Sequence, residues 1–176
     1  MSLLLKIIKD FDEHLKPYEF IIELENGKII EFNFKKENIK HLLGLHKTIF
    51  NQFYATLIYK KIKKGHITLE KLKNDNNFSD IETRVLKFSR IKDLLNLKPG
   101  DKIIEFDNSL LINCNLKSEY IIYDEDTGET LHLGLAKSNV KYYPETWFIR
   151  EGKEPNKYIK GQKKIKIKKF EKIRKP

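Results

Sequence analysis

"YEFIIELENGKIIEFNF", residues 18–34, decides the fold class. Two runs that mix apolar and polar residues flank Asn26-Gly27. An Asn-Gly pair between apolar runs is the strongest short-range hairpin signal. The stretch therefore predicts two antiparallel strands. Upstream, Leu3, Leu4, Ile7, Ile8, Phe11 and Leu15 recur at three- and four-residue spacing. That predicts an amphipathic helix ending near Lys16, before Pro17. Downstream, residues 35–65 follow a helical pattern, interrupted or bent at Gly44 and stopped by Gly65. "TLEKLKN" (68–74) reads as a short helix capped by Thr68. "FSDIETRVLKFSRIKDLLNLK" (78–98) reads as a longer one, with Ser79 and Glu82 spaced as a capping box.

Beyond Pro99-Gly100 the period changes to two. "KIIEF" (102–106), "SEYIIYD" (118–124), "TLHLGLA" (130–136), "TWFIR" (146–150) and "KKIKIKKFEKI" (163–173) read as strands, the second and third joined around Thr127-Gly128. The expected class is α+β: helices packed on a curved antiparallel β-sheet, preceded by an N-terminal helix and β-hairpin. No repeat or interdomain linker is evident. Residues 1–176 read as a single domain, with "REGKEPNKYIKGQ" (150–162) a polar loop.

The formal net charge is +10. The basic C-terminal strand and tail, 163–176, hold seven Lys, one Arg and one Glu, 8 − 1 = +7, leaving +3 for the rest. A nearly balanced body with a strongly basic end points to a polyanion, nucleic acid or an anionic membrane surface, or to a lysine-guarded sheet edge. Cys114 is the only cysteine, which excludes an internal disulfide and a thiolate metal cluster. The start lacks a basic leader and a small-residue cleavage site, and no apolar run nears the roughly 20 residues that span a bilayer. The expectation is a soluble cytoplasmic protein without a membrane partner.

"HLLGLHK" (41–47) concentrates chemistry. Two of the five histidines, His41 and His46, bracket Gly44, and Lys47 follows. Five residues on a regular helix turn about 140°, so the two rings would not share a face and the spacing is not that of a helical zinc pair. If Gly44 ends one turn and lets another begin, both rings can approach one cleft, with Lys47 near the start of the second segment. The alternative places the histidines beside a core of Leu42, Leu43, Leu45 and Ile49.

The hairpin, then "FNFKKENIKHLLGLHK", a helical block with "ETRVLKF", and strands ending in "YYPETWF" and a basic strand together resemble the phage-associated barnase–EndoU–colicin–RelE-like (BECR-fold) nucleases. The resemblance covers about residues 18–169. It implies a metal-independent ribonuclease without cofactor, of toxin, phage or mobile-element type, with RNA as partner and an antitoxin or immunity protein as a further one. The carry-over reaches "HLLGLHK", Arg84 and the "ETWF" strand. A barnase-like glutamate base has no assigned counterpart.

Metal-free RNA cleavage needs a base, an acid and cations around the phosphate. Histidine serves both proton roles because its ordinary pKa lies near working pH. The catalytic candidates are His41, His46, Lys47, Arg84 and Thr146. The substrate-binding candidates are Ser138, His132, Arg150, Tyr158, Lys164 and Lys166. Arg84 sits one step off the Ile81, Val85, Phe88 stripe and serves phosphate or a structural ion pair. His132 lies on the strand face opposite Leu131, Leu133 and Leu135, as a substrate floor or facing solvent. Thr146, Phe148 and Arg150 share one side of their strand, and Trp147 is expected in the core. Tyr142, Tyr143 and Tyr158 are candidates for base stacking or rim packing. Cys114 lacks signs of activation. The competing reading is a non-catalytic nucleic-acid-binding or protein-interaction module that retains the fold.

Overall fold

The computed structural model describes residues 1–176. Helix α1 (Leu3–His14) precedes strands β1 (Tyr18–Leu24) and β2 (Ile29–Asn33). Gly27 takes positive φ in their turn. A helical block follows: α2 (Asn38–Leu42), α3 (Ala55–Lys63), α4 (Leu69–Lys73), α5 (Glu82–Leu86) and α6 (Arg90–Leu94). Strands β3 (Lys102–Glu105), β4 (Tyr120–Asp126), β5 (Glu129–Ser138), β6 (Lys141–Glu151) and β7 (Lys163–Arg174) complete the chain.

The strands close into a barrel in the order β1-β2-β6-β5-β4-β3-β7. This corrects the expected purely antiparallel sheet, because β2 meets β6 in parallel through one pair, Phe32 and Tyr142. It also corrects the edge reading of the basic strand. β7 is hydrogen-bonded to β1 on one side and β3 on the other, so it has no free edge to guard.

One continuous apolar cluster joins all six helices to the seven strands, through Phe11, Phe20, Phe32, Leu133 and Trp147 among others. Trp147 is fully buried, as its strand position predicts. A second, smaller cluster of Ile104, Phe106, Ile121 and Ile159 lies apart from it. Neighbours along β3 and β4 alternate between the two, Ile103 and Ile122 in the first, Ile104 and Ile121 in the second. Successive side chains of a strand point to opposite faces, so these strands are buried on both. Leu111, Cys114, Leu116 and Tyr158, from segments that flank the strands, pack on the second cluster.

The helical block is more broken than its periodicity suggests. The 35–65 stretch is four pieces: α2, two 3-10 turns (Leu45–Lys47 and Ile49–Gln52), then α3. The expected long helix over 78–98 divides into a 3-10 turn (Phe78–Asp80), α5 and α6. Ser79 lies inside that 3-10 turn, and Ile81 takes the cap position without a side-chain hydrogen bond, so no capping box forms. Thr68 does cap α4, accepting a hydrogen bond from Lys71 N.

Gly44 is where the first break is enforced. It ends α2 with φ 74° and opens the next turn. A Cβ there would stand 2.6 Å from Ile81 Cγ2 and 3.3 Å from Arg84 Cδ. The backbone at Gly44 is thus the surface on which α5 and its approach rest. An L-residue in the left-handed region costs roughly 1–2 kcal/mol before any clash. Gly27 has φ 83° but open space around it. Gly44→Ala should therefore destabilise the protein more than Gly27→Ala, by at least about 1 kcal/mol as overpacking adds to backbone strain. Equal losses in urea unfolding would show that the contact with α5 carries no energy.

Candidate functional site

The break at Gly44 brings the histidines together. The rings of His41 and His46 lie 4.8 Å apart, centroid to centroid, tilted by 32°. Both line a cleft of about 680 Å³, which Lys47, Arg84, Thr146, Arg150 and Tyr158 also enter. All five catalytic candidates from the sequence thus lie around one cavity, together with two substrate-binding candidates.

Each wall is fixed by local hydrogen bonds. Lys40 Nζ donates to the carbonyls of Asn51 (2.8 Å) and Phe53 (2.9 Å), holding the turns that follow His46. Buried Asp75 accepts from Ile49 N at 2.7 Å and from Asn77 N at 2.9 Å. Asn77 Nδ2 in turn donates to the Lys47 carbonyl at 2.8 Å. Across the cleft, Asn38 Nδ2 donates to the Pro144 carbonyl at 3.3 Å, tying α2 to β6.

β6 carries the residue that sequence reasoning missed. Gly134 of β5 pairs with Thr146, but Leu135 pairs with Pro144, so Glu145 is an extra, unpaired residue in a β-bulge. A bulge breaks the in-out alternation and re-aims side chains. Strict alternation would put Glu145 opposite Thr146; instead both line the cleft. Glu145 is clamped there, accepting from Ser118 Oγ at 2.5 Å and Lys117 N at 2.9 Å. Gly134 makes the space, since a Cβ on it would stand 2.3 Å from Ser118 Oγ and 2.9 Å from Thr146 Cγ2. The signal was present: proline inside a strand is confined to edges and bulges, and Pro144 directly precedes Glu145.

Three cations, Lys47, Arg84 and Arg150, line the cleft against two carboxylates, Asp80 and Glu145. Arg84 is partly buried, and its guanidinium donates to Thr146 Oγ1 at 3.4 Å with no carboxylate in ion-pair range. Burial lowers its pKa, with Tyr158 and Asp80 opposing. Burial and then Arg84 lower the Lys47 pKa, against Asp80. Burial pushes His46 down to about 4, helped by His41, Arg84 and Lys47. Burial and Lys40 lower His41 as well, while Glu145 acts to raise it. His46 Nδ1 is buried with no hydrogen-bond partner. Cations crowded into one cleft with no carboxylate in ion-pair range favour an anion between them. No group of three or more His, Cys, Asp or Glu side chains is arranged to hold a metal ion.

Four substrate-binding candidates lie elsewhere or play another part. His132 is fully buried, neither a substrate floor nor solvent-facing, because Phe148 and Tyr158 pack on its ring. Its ring stacks on Phe148, with centroids 4.3 Å apart, and meets Tyr158 edge-on. Ser138 is exposed at the far end of β5, paired with Lys141. Lys164 and Lys166 are exposed on β7 outside the cleft, Lys164 lying over the Tyr123 ring. Neighbouring Lys163 and Lys168 are engaged by Glu105 and Glu23. Tyr142 is buried and donates its hydroxyl to Glu119 at 3.0 Å, so it offers no stacking face to the cleft.

These surroundings fix how the histidines titrate. His46 and His132, both lowered to about 4, should remain neutral through neutral pH. Inorganic phosphate entering the cleft should raise His46 and leave His132 unmoved, as NMR titration of the ring protons would show. A His46 midpoint indifferent to phosphate would contradict an anion site beside it.

Neither the curated proteins nor the solved structures give a match to the chain. A family model does, over residues 3–176, which is nearly the whole chain. With the cleft it encloses, the chain belongs to the phage-Barnase-EndoU-ColicinE5/D-RelE like nuclease4 family.

Proposed function

We propose that the protein is a metal-independent endoribonuclease, a single nuclease domain over residues 1–176, cleaving RNA by attack of the 2′-hydroxyl. The observation that carries this reading is the histidine pair, 4.8 Å apart, beside two cations without carboxylate partners. Two imidazolium charges at that separation would repel by about 3 kcal/mol at an effective dielectric near 20. The pair therefore takes up a second proton far less readily than a first, which suits one acid and one base side by side.

The environment supports one assignment of the roles. His46, deeper and closer to Arg84 and Lys47, is the neutral base that removes the 2′-hydroxyl proton. The 2′-oxygen attacks phosphorus and the bond to the 5′-oxygen breaks. His41, favoured in its charged form by Glu145, donates the proton that the departing 5′-oxygen takes up. Arg84 and Lys47 stabilise the charge that builds on the phosphoryl oxygens, with Thr146 Oγ1 fixing the guanidinium. The products are a 2′,3′-cyclic phosphate and a free 5′-hydroxyl. The family's phage association suits a toxin-like or mobile-element nuclease acting in the cytoplasm, held in check by an antitoxin or immunity partner.

Purified protein should cut RNA in EDTA. His41→Ala or His46→Ala should each lower the rate by roughly 10²–10⁴, and Arg84→Ala by about 10²–10³. Cleavage that survives the His41→Ala/His46→Ala double change would refute the site. RNA binding without product in the wild type would favour the non-catalytic module. Glu145→Gln carries a signed test. Losing the carboxylate lowers the His41 pKa further, and an acid must be protonated to act. The alkaline limb of the pH–rate profile should therefore move to lower pH; an unmoved limb would remove His41 from the acid role.

A further inference from the structure

The phosphate side of the cleft leaves one wall unexplained. Phe148 projects from β6 on the same face as Thr146 and Arg150, lines the cleft and is only half-buried. Its ring is backed by buried His132, nearly parallel at 9°. Burial holds that imidazole neutral, with a pKa of about 4, so the backing is a flat, uncharged ring. Tyr158 stands edge-on to Phe148 with centroids 5.0 Å apart.

The segment carrying Tyr158 is anchored at three points. Arg150 Nε donates to the Glu154 carbonyl at 3.2 Å, and its guanidinium lies over the Tyr158 ring. Ile159 is buried in the second core. Gln162 exchanges two hydrogen bonds with the Asp107 backbone, at 2.8 and 2.9 Å. An aromatic corner is thus held open at the end of a cationic cleft. Asn113 and Asn115 also line the cleft, without intramolecular side-chain hydrogen bonds. Asn113 holds φ 56°, the left-handed conformation that asparagine tolerates better than most residues.

We propose that this corner is a nucleobase subsite, which restricts the substrate to nucleotides unstacked from a helix, in single strands or loops. The inference rests on the nuclease reading of the same cleft. A base on the Phe148–Tyr158 corner places its own phosphate toward Arg84 and Lys47, and its edge toward the asparagine amides. Each amide offers both a donor and an acceptor, the groups that read base edges. A base inside a duplex has both faces covered and cannot occupy the corner.

The test uses a 2′-fluoro RNA strand, which lacks the nucleophilic hydroxyl and stays intact, carrying 2-aminopurine, whose fluorescence is quenched on stacking. Wild-type protein should bind the single strand with quenching and bind the matching duplex more weakly. Phe148→Leu should weaken single-strand binding by roughly 5- to 150-fold, the usual range for loss of a base–aromatic stack, and abolish the quench. Tyr158→Leu, at a half-buried position outside the barrel strands, provides a second reading if Phe148→Leu does not fold. Arg84→Ala should weaken binding but keep the quench at saturation. Strand binding without quenching, equal binding of duplex, or affinity indifferent to the aromatic changes would overturn the base subsite and leave the phosphate site standing. No binding of either form would overturn both.

Discussion

The backbone of Gly44 against Ile81 and Arg84 is the contact on which the site depends. It satisfies two demands that no other residue meets together. The left-handed turn ends α2 and swings His46 back beside His41. The missing Cβ lets the start of α5 settle on that turn, which delivers Arg84 to Thr146. A side chain at Gly44 would push α5 away and draw the cation from the imidazoles. Two segments about forty residues apart in sequence are thereby set as opposing parts of one cleft.

A second close approach does the same on the sheet side. Gly134 lets Ser118 and Thr146 crowd against β5, and the bulge opposite it turns Glu145 toward the histidines. The walls outside the barrel rest on the small core around Ile104, Ile121 and Ile159. The cleft thus stands between two packed bodies, helices on one side and loop-covered strands on the other. Its cations are held by short hydrogen-bonded turns rather than by carboxylates. Its cations therefore have no carboxylate in ion-pair range, while on the barrel exterior Lys163 pairs with Glu105 and Lys168 with Glu23.

How much of this was legible depended on how local the cause was. Asn26-Gly27, the period-two runs and the apolar stripe of α1 report short-range physics, and the strands and first helix appear close to where those patterns put them. Gly44 was legible as a break, and with it the meeting of His41 and His46. The division of 78–98 was not, because the apolar stripe at Ile81, Val85 and Phe88 runs on across the break between α5 and α6 and hides the interruption. Barrel closure was invisible, since one parallel pair between β2 and β6 leaves no local mark. His132 was misplaced because alternation tells which residues share a face but not what later covers it. Glu145 was missed because the strand was read only from Thr146, which left Pro144, the residue that signals the bulge, outside it.

The central claim is that this cleft uses the substrate's own 2′-hydroxyl as nucleophile. The most direct measurement takes an RNA that the protein cuts at a defined position and replaces the nucleotide 5′ to that bond by its 2′-deoxy counterpart, with end-group analysis of both products. The account predicts a 2′,3′-cyclic phosphate and a 5′-hydroxyl from the all-ribose strand, and no cleavage at the deoxy position. Continued cleavage there, or 5′-phosphate ends, would mean that water or another nucleophile attacks and that the histidine pair serves a different reaction.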